Sequence, residues 1–383
     1  MRNALLALFC ALLAACAAPR AVVGPADALF DDALFGPPSE RIGSEDVFAL
    51  SAPMREYLKR PDVAAQLARK GPQRGLLEAL YQSDGLKLYY DASATRNAAQ
   101  AFDTRAGNCL SLVIMTAAFA RELGIPVRFQ SAYLEETISR SDNLVLRSGH
   151  VNVTLGKRFT DARFTENQPL TVDFLPPEEV RGLRTREIGE ETVLAMFLNN
   201  RAVEALIDGR IDDAYAWARE AVRQRPEFLP ALNTLGVVYL RRDALPLAAA
   251  VFDRVLQSDP ANRAALANLA GTYARQGRHA DSLRLQGELA RLEPVPPLHY
   301  YRLGLAAMKR QDFAAARDLL SLEVAREGDS SAVHYWLGVA NLELGDAEQA
   351  QAHFARALKA SASPGERSQY VAKLEALKSS ARR

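Results

Sequence analysis

A 34-residue period in the C-terminal half of the chain constrains its fold more than any other feature. Pro226, Pro260 and Pro294 lie 34 residues apart. A leucine followed by a small residue recurs at the same interval, at Leu235-Gly236, Leu269-Ala270, Leu303-Gly304 and Leu337-Gly338. A period of about 20 to 50 residues indicates stacked structural repeats, in which each unit packs on its neighbours. This half of the chain is therefore predicted to be a repeat array.

The pattern within each unit resembles the tetratricopeptide repeat. An aromatic residue follows the small residue three positions on (Tyr239, Tyr273), and a second small residue and a terminal proline complete the unit. Small residues allow two antiparallel helices to approach closely, glycine suits the turn between them, and proline ends the second helix. The second small residues are Ala214, Ala248, Ser282, Ala316 and Ala350, and the turn glycines are Gly209, Gly277 and Gly345.

Five repeats are predicted over residues 195–363, with a capping helix and tail over residues 364–383. The first repeat departs from the pattern at Arg201 and Ala205, as expected for an end unit that packs on another domain, and the fourth has Gly328 instead of proline. The resemblance implies an all-α solenoid whose groove binds a protein or peptide partner. The predicted repeats begin near Ala195, Leu229, Arg263, Pro297 and Ser331. The histidines of the array are predicted to be surface or packing residues rather than metal ligands: His279, His299, His334 and His353.

The N-terminus is predicted to direct export. Arg2 precedes an uncharged apolar run over residues 4–15, which is shorter than the roughly 20 residues that a membrane span needs. Leu13-Ala14-Ala15-Cys16 resembles the lipobox of bacterial lipoproteins, which implies removal of a signal peptide over residues 1–15 and lipidation of Cys16. An ordinary secretory signal and a short buried helix are the alternatives.

The predicted destination is the outer membrane, with the protein facing the periplasm. The residue after Cys16 is Ala17 rather than aspartate, as in lipoproteins of Gram-negative bacteria that reach the outer membrane. The lipid would hold the protein to the membrane, and residues 16–43 are predicted to be a tether that clears the lipid surface.

Charge and cysteine content narrow the function classes. Lys plus Arg number 47 and Asp plus Glu number 46, which gives a net charge of +1. A chain with so little net charge has no overall electrostatic field that would attract nucleic acid. The 49% hydrophobic and 24% charged residues are typical of globular domains. Processing would remove Cys10 and acylate Cys16, which leaves Cys109 as the single thiol and rules out an intramolecular disulfide.

The segment between the tether and the repeats contains a candidate nucleophile. Gly107-Asn108-Cys109 opens a nearly all-apolar run over residues 110–123, which predicts a buried helix with Asn108 as its N-cap. Cys109 would then lie in the first turn of this helix. Unpaired N–H groups and the helix dipole favour a thiolate there, so the pKa of the thiol is expected to be lowered.

Three strand-like stretches follow, over residues 127–133, 150–155 and 170–174. Alternation with period two puts His150, Asn152 and Thr154 on one face of the second stretch. Antiparallel pairing that sets His150 opposite Asp173 is feasible, because the midpoint of the connection is polar. Asn152 is predicted either to bind in a cleft or to lie on the polar surface of the sheet.

A cysteine at a helix N-terminus, a histidine on a following strand and an aspartate on the next can act as nucleophile, general base and orienting carboxylate. The candidates are Cys109, His150 and Asp173. Asp142 and Asp161 are alternative carboxylates, but both lie in polar, loop-like sequence.

The nucleophile segment resembles the transglutaminase-like superfamily, which is related to papain in fold. The matching residues are Arg105-Ala106-Gly107-Asn108-Cys109-Leu110-Ser111-Leu112 and Ala120-Arg121-Glu122-Leu123-Gly124-Ile125-Pro126-Val127. The resemblance covers about residues 95–176 and implies catalytic roles for Cys109, His150 and Asp173. It departs at Val151-Asn152, where many members carry Ala-Trp, and at Phe174, which leaves the substrate class open. No metal or cofactor is implied.

These expectations together describe an α+β transglutaminase-like domain over residues 44–190, followed by an all-α tetratricopeptide-repeat solenoid. Cys109 would attack an amide or ester carbonyl, and the acyl-enzyme would pass to water, as in a cysteine protease, or to an amine, as in a transglutaminase. Two alternatives remain open. One is a scaffold or adaptor whose transglutaminase-like domain is structural, and the other is a redox-sensing thiol that needs no triad.

Overall fold

The computed structural model describes much of the chain from residue 26 onward. For residues 132–141 and 144–149 it describes the backbone alone. The predicted signal peptide, Cys10, Cys16, Asp142 and Asp161 lie outside the described residues. The described ranges are 26–81, 85–141, 144–156, 169–174, 185–292, 294–295, 298–327, 330–361, 367–368 and 370–375.

The transglutaminase-like region begins with helices. After three N-terminal helices, two short strands flank a fourth helix and lead into the central helix, α5. Side chains from Leu110 to Ala120 are buried all around α5, because this run contains no charge and can be covered on every side. The elements are α1 (Ala52–Lys59), α2 (Pro61–Lys70), α3 (Pro72–Tyr81), β1 (Tyr89–Tyr90), α4 (Ala98–Thr104), β2 (Ala106–Gly107) and α5 (Cys109–Glu122).

A four-stranded antiparallel sheet follows α5, and its second strand packs against that helix. The strand order is β5-β4-β3-β6. Val151, Val153 and Leu155 are buried on one face of β4, which accounts for the alternation predicted from the sequence. The strands are β3 (Val127–Ser141), β4 (Leu144–Leu155), β5 (Leu170–Val172) and β6 (Thr185–Ile188).

The pairing of β4 with β5 differs from the predicted register. Val153 pairs with Val172 and Leu155 with Leu170, so continuing the pairing brings Asp173 opposite Asn152 and not opposite His150. The difference is two residues, which preserves the face on which each side chain lies because the period of a strand is two. Asp173 follows the last residue of β5, so its carboxylate reaches His150 diagonally.

The described part of the C-terminal half is built from helical hairpins. Its helices form five antiparallel pairs, and three of them begin at the predicted Leu229, Arg263 and Ser331. Beyond the last pair, residues 370–375 are helical, and Tyr370 is buried beside Tyr335. The helices are α6 (Glu190–Ile207), α7 (Ile211–Gln224), α8 (Leu229–Arg241), α9 (Leu245–Ser258), α10 (Arg263–Arg275), α11 (His279–Leu292), α12 (His299–Lys309), α13 (Phe313–Glu327), α14 (Ser331–Glu343) and α15 (Ala347–Ala360).

The turn inside each hairpin repeats with the sequence period. Gly209, Gly277 and Gly345 adopt positive φ angles of 75°, 76° and 81°. The equivalent positions of the second and fourth repeats are Asp243 and Gln311, and they adopt φ of 61° and 62°. The backbone therefore keeps the left-handed turn even where the sequence lacks the glycine that favours it.

Small residues allow the two helices of a hairpin to touch. A Cβ added at Gly338 would lie 2.7 Å from the Phe354 ring, and one at Gly304 would lie 2.8 Å from the Leu320 side chain. Side chains at these glycines would force the paired helices apart. This contact is the physical reason for the recurring small residue in the repeat.

The segment predicted to be a free tether is packed against the repeats from residue 26 onward. Phe35 stacks on Tyr215 with ring centroids 3.8 Å apart and planes 3° from parallel. The hydroxyl of Tyr239 donates to the carbonyl of Leu29 at 2.7 Å and accepts from the Asp31 N–H at 3.0 Å. Residues 26–43 are therefore part of the folded molecule.

One hydrophobic core crosses the predicted domain boundary. It extends from Val47 through the central helix to Leu285 in the third repeat, whereas the last two repeats have clusters of their own. The first three repeats therefore share their core with the transglutaminase-like region. No helix within the described ranges is long and apolar enough to cross a membrane.

Candidate active site

Cys109 is the first residue of α5. The predicted cap forms: Asn108 is the N-cap, and its side chain accepts the Ser111 N–H at 2.9 Å. The Cys109 side chain is half-buried. The backbone N–H of Val151 donates toward its sulfur, which brings the thiol beside the residue that follows His150.

The electrostatic surroundings of Cys109 differ from the expectation. Burial raises the pKa of the thiol above its ordinary value. The N–H groups of Val151 and Leu110 oppose this effect, and the negative charge of Asp173 adds to it. The predicted lowering by the helix N-terminus is therefore outweighed, because removal from water disfavours the charged thiolate.

His150 and Asn152 of β4 form a hydrogen-bonded group with Asp173, which directly follows β5. His150 Nε2 lies 2.7 Å from Asp173 Oδ1. Asn152 Nδ2 donates to the other carboxylate oxygen, Oδ2, at 3.2 Å. The His150 and Asn152 residues are 3% and 2% exposed, so their side chains are largely withdrawn from bulk water. The arrangement holds the carboxylate on both sides.

Asn152 has one polar atom without a partner. Its Oδ1 is buried, and no hydrogen bond to it is present among the described residues. An unsatisfied buried acceptor destabilises a fold by about 1–3 kcal/mol, so each such atom in a folded protein calls for an explanation. The sequence prediction left open whether Asn152 binds in a cleft or lies on a polar surface, and the structure gives it a direct contact with Asp173.

Asp173 also lines a cavity of about 350 Å³. Leu77, Tyr81, Val172 and Phe174 supply its apolar wall, and Glu78 supplies a carboxylate. The strand β2, which directly precedes α5 in the chain, pairs in parallel with β1. β1 carries two exposed aromatic side chains, Tyr89 and Tyr90.

No group of three or more potential metal ligands occurs among the described His, Cys, Asp and Glu residues. His334 and His353 meet between α14 and α15, with their Nδ1 atoms 3.1 Å apart and their rings stacked. His279 is exposed at the start of α11.

The structure thus brings the predicted Cys109, His150 and Asp173 into one region, together with Asn152. Sequence reasoning missed two residues that support the nucleophile helix, Thr95 and Glu204. Thr95 contacts the amide of Asn108, and Glu204 accepts the Thr95 N–H. Glu204 belongs to α6, the first helix of the array, and carries no local sequence signal of this role.

Comparison with known families agrees with this architecture. The family model of the transglutaminase-like superfamily matches residues 63–160, which include Cys109 and His150. The tetratricopeptide repeat model matches residues 233–297 and 301–366. A transglutaminase-like domain precedes a tetratricopeptide array. Asp173 and the first repeat lie outside the matched ranges.

The similar proteins found match the array. The tetratricopeptide repeat domain-containing protein PYG7, chloroplastic, of Arabidopsis thaliana is 34% identical over 77 residues, 20% of this chain and 26% of that protein. The chain thus spans about a quarter of this relative. A thermophilic tetratricopeptide protein of Thermus thermophilus is 20% identical with a TM-score of 0.30, covering 47% of this chain and 98% of that structure. A structure of MamA is 18% identical with a TM-score of 0.26, covering 45% and 92%.

Proposed function

We propose that this protein is a cysteine-dependent acyl-transfer enzyme in which Cys109 is the nucleophile. His150 is the general base, and Asp173 orients it. The observation that carries the proposal is the 2.7 Å contact between His150 Nε2 and Asp173 Oδ1, next to a thiol at a helix N-terminus that receives the Val151 N–H. A thiol, an imidazole and a carboxylate in this order form the relay that thiol acyl transfer requires.

The geometry favours a mechanism in which His150 removes the proton from Cys109 as the sulfur attacks the carbonyl carbon. Asp173 engages Nε2 of His150, which leaves Nδ1 as the nitrogen that accepts the thiol proton. The Cys109 sulfur bonds to the carbonyl carbon, the backbone N–H of Cys109 stabilises the oxyanion, and His150 passes the proton to the leaving nitrogen or oxygen as its bond to carbon breaks. Water or an amine then cleaves the thioester. Because burial raises the pKa of Cys109, the thiol depends on His150 for deprotonation.

Asn152 has a supporting part in this proposal. Its amide donates to Asp173 Oδ2 and so fixes the carboxylate that orients His150. Since Asn152 reaches the acyl site through Asp173 and not directly, it is a positioning residue.

A second candidate function is a non-catalytic scaffold. The raised pKa of Cys109 favours it, because a thiol whose pKa is raised by burial reacts slowly unless a base acts on it. In this alternative the protein is a scaffold or adaptor: the array would recruit a partner, and the transglutaminase-like domain would be structural. Tetratricopeptide repeats generally mediate protein interactions, and we propose a protein or peptide partner in the groove under either function.

The two candidates are separated by the reactivity of Cys109. A chain from Ala17 to Arg383 keeps every described residue and a single thiol. We expect its iodoacetamide alkylation rate at pH 7 to fall by roughly 10- to 100-fold in His150→Ala and in Asp173→Asn, since a positioned base contributes at least this much to thiol chemistry. His279→Ala removes an exposed histidine of the array and is the matched control, expected to leave the rate unchanged. Equal rates in all four proteins would support the scaffold instead.

Acyl transfer itself is tested with an activated ester. 4-Nitrophenyl acetate is expected to release a burst of one nitrophenolate per chain as Cys109 is acetylated, and Cys109→Ala is expected to show none. Adding a primary amine distinguishes the second step: faster turnover with formation of the amide indicates transferase chemistry, and unchanged turnover indicates hydrolysis. If neither the ester reaction nor the alkylation of Cys109 depends on His150, the proposed acyl-transfer function is wrong.

We also propose a lipid anchor on Cys16 and a location at the outer membrane, facing the periplasm. Support comes from the lipobox-like Leu13-Ala14-Ala15-Cys16 and from Ala17. Expression of the full chain in a Gram-negative host with an alkyne-tagged palmitate is expected to label the protein in the outer-membrane fraction. Cys16→Ser should abolish the label, whereas Cys10→Ser, in the part that processing removes, should keep it. Equal labelling of both variants would exclude Cys16 as the acylated residue.

A further inference from the structure

The first turn of the nucleophile helix is held by a polar cluster. Asn108 Oδ1 accepts both the N–H and the hydroxyl of Ser111, each at 2.9 Å. The Ser111 hydroxyl in turn accepts the Arg96 N–H at 2.8 Å. Cys109 follows Asn108 directly, so the orientation of the Asn108 amide determines where the thiol lies at the start of α5.

The other end of the Asn108 amide is held by a buried threonine. Asn108 Nδ2 donates to Thr95 Oγ1 at 2.9 Å, and Thr95 is 2% exposed. The N–H of Thr95 donates to Glu204 Oε1 at 2.6 Å. Glu204 lies on α6, so a side chain of the repeat array fixes the loop that caps the nucleophile helix.

Glu204 is itself held on its second oxygen. Arg201 Nη1 donates to Glu204 Oε2 at 2.8 Å, and Nη2 of the same guanidinium donates to Glu40 Oε2 at 2.8 Å. Glu40 belongs to the N-terminal segment and also accepts from Trp217 Nε1 at 3.0 Å. Burial raises the pKa of Glu204, as expected for a carboxylate largely withdrawn from water. A carboxylate in such a place destabilises the fold unless its contacts compensate.

We infer that Glu204 is a positioning residue for Cys109, acting through Thr95 and Asn108. The inference rests on the proposed function of Cys109, and it adds that the acyl-transfer site is completed by the repeat array. The first repeat is then more than a partner-binding module, because its helix α6 supplies the contact that orders the cap of α5. The chain Glu204–Thr95–Asn108 consists of consecutive hydrogen bonds, so displacement of α6 moves the residue next to the nucleophile.

The test measures how strongly Cys109 reactivity depends on His150. The alkylation rate at pH 7 is determined with His150 and with His150→Ala, in the parent chain and in each variant. The ratio of the two rates reports the thiol–imidazole pair and not the accessibility of the thiol. We expect Glu204→Ala to reduce this ratio by about tenfold, because small displacements of reacting groups are costly. Glu204→Gln retains an oxygen for the Thr95 N–H and is expected to keep the ratio within about twofold of the parent.

Glu220→Ala is the matched control, since Glu220 is a half-buried glutamate of the same repeat on α7, and it should leave the ratio unchanged. An unchanged ratio in Glu204→Ala overturns the inference. So does an equal loss in Glu204→Gln and Glu204→Ala, which would assign the effect to the charge facing Arg201.

A second pair of variants keeps the test decisive if Glu204→Ala does not fold. Thr95→Val removes the acceptor for Asn108 Nδ2, whereas Thr95→Ser keeps it. We expect the ratio to fall in Thr95→Val and to be preserved in Thr95→Ser, and equal ratios in the two would overturn the inference. If alkylation of the parent chain does not depend on His150, the proposed function itself is wrong. If it does depend on His150 but Glu204→Ala leaves the ratio unchanged, only the inference about Glu204 is wrong.

Discussion

The transglutaminase-like region and the repeat array use the chain in different ways. In the array, the residues that pack together recur every 34 positions and touch neighbours close in sequence, such as Gly338 and Phe354. In the candidate active site, Cys109 lies on α5, His150 on β4 and Asp173 directly after β5, and segments of more than 20 residues separate them. The array therefore repeats the same local packing contacts, whereas the site forms only when elements distant in the sequence come together.

This difference determines how each region responds to damage. Stability in a repeat array is approximately a sum of local units and the interfaces between neighbours, so a defect remains close to where it arises. The site packs against a single core that extends from Val47 to Leu285. We therefore expect a defect in that core to weaken several of the elements that share it. The last two repeats lie outside this core.

The largest expected effect comes from a matched pair of core deletions. Phe119 in α5 and Phe354 in α15 are both fully buried, so each change to alanine is expected to destabilise its surroundings by about 3–5 kcal/mol. Phe119 packs near Tyr57 and Phe102 in the shared core, and its loss should weaken the transglutaminase-like region and the first three repeats together. The loss of Phe354 should weaken the last repeats alone.

Hydrogen exchange measured by mass spectrometry distinguishes these outcomes. Phe119→Ala is expected to lower protection from α1 to α11, and Phe354→Ala only from α12 to α15. If Phe354→Ala lowers protection in α5 as strongly as Phe119→Ala does, defects in the last repeats are not local and the two regions do not differ in this way. Retained His150-dependent alkylation of Cys109 in Phe354→Ala is a second, functional check.

Much of the fold could be predicted because its signals are local. The period predicted where α8, α10 and α14 begin, and the uncharged run after Asn108 predicted the buried helix α5. The faces of β4 were predictable from alternation. The register of β4 with β5 was wrong by two residues, because side-chain alternation fixes the face of a residue but not which residue lies opposite.

The rest depends on contacts that no local pattern encodes. Glu204 and Thr95 are 109 residues apart, and neither has neighbours that indicate their hydrogen bond. The pKa of Cys109 was expected to be lowered on the strength of its position in a helix, but burial by other elements decides its direction. The packing of residues 26–43 on the repeats likewise follows from tertiary contacts, such as Phe35 on Tyr215.

A smaller effect is expected at Asn152, which tests whether the site needs its supporting contact. Asn152→Ala removes the donor to Asp173 Oδ2 and should lower the alkylation rate of Cys109 at pH 7 by about tenfold, less than the loss of His150 itself, because Asp173 keeps its bond to Nε2. Thr154→Ala changes the next buried polar residue on the same face and is the control, since its hydroxyl bonds to Thr171. Equal rates in the two variants and the parent would show that Asn152 has no positioning role.

The raised pKa of Cys109 predicts that the free energy of unfolding depends on pH through this thiol. The folded state holds the thiol proton more tightly than the unfolded state, whose pKa is about 8.5. The resulting stabilisation is fully present below about pH 8.5 and is lost as the pH rises through the folded-state pKa, by about 1.4 kcal/mol for each unit by which the pKa is raised. Urea unfolding of the parent and of Cys109→Ser at pH 7, 9 and 10.5 should show the advantage of the parent shrinking with pH. A difference that stays constant with pH would contradict the raised pKa of Cys109.

The smallest expected effect concerns the turns of the array. It tests whether their left-handed backbone conformation depends on the residue at the turn position. Gln311 is exposed and has φ of 62°, at the position where three other repeats have glycine. A left-handed residue other than glycine is strained by about 1–2 kcal/mol, and the flexibility of glycine in the unfolded chain offsets part of the gain. Gln311→Gly is therefore expected to stabilise the last repeats by about 0.5–1 kcal/mol in urea unfolding, and Gly277→Ala to destabilise its own hairpin by a similar amount. If Gln311→Gly destabilises instead, the turn is held by contacts of the glutamine side chain, and the backbone period alone does not explain the turn.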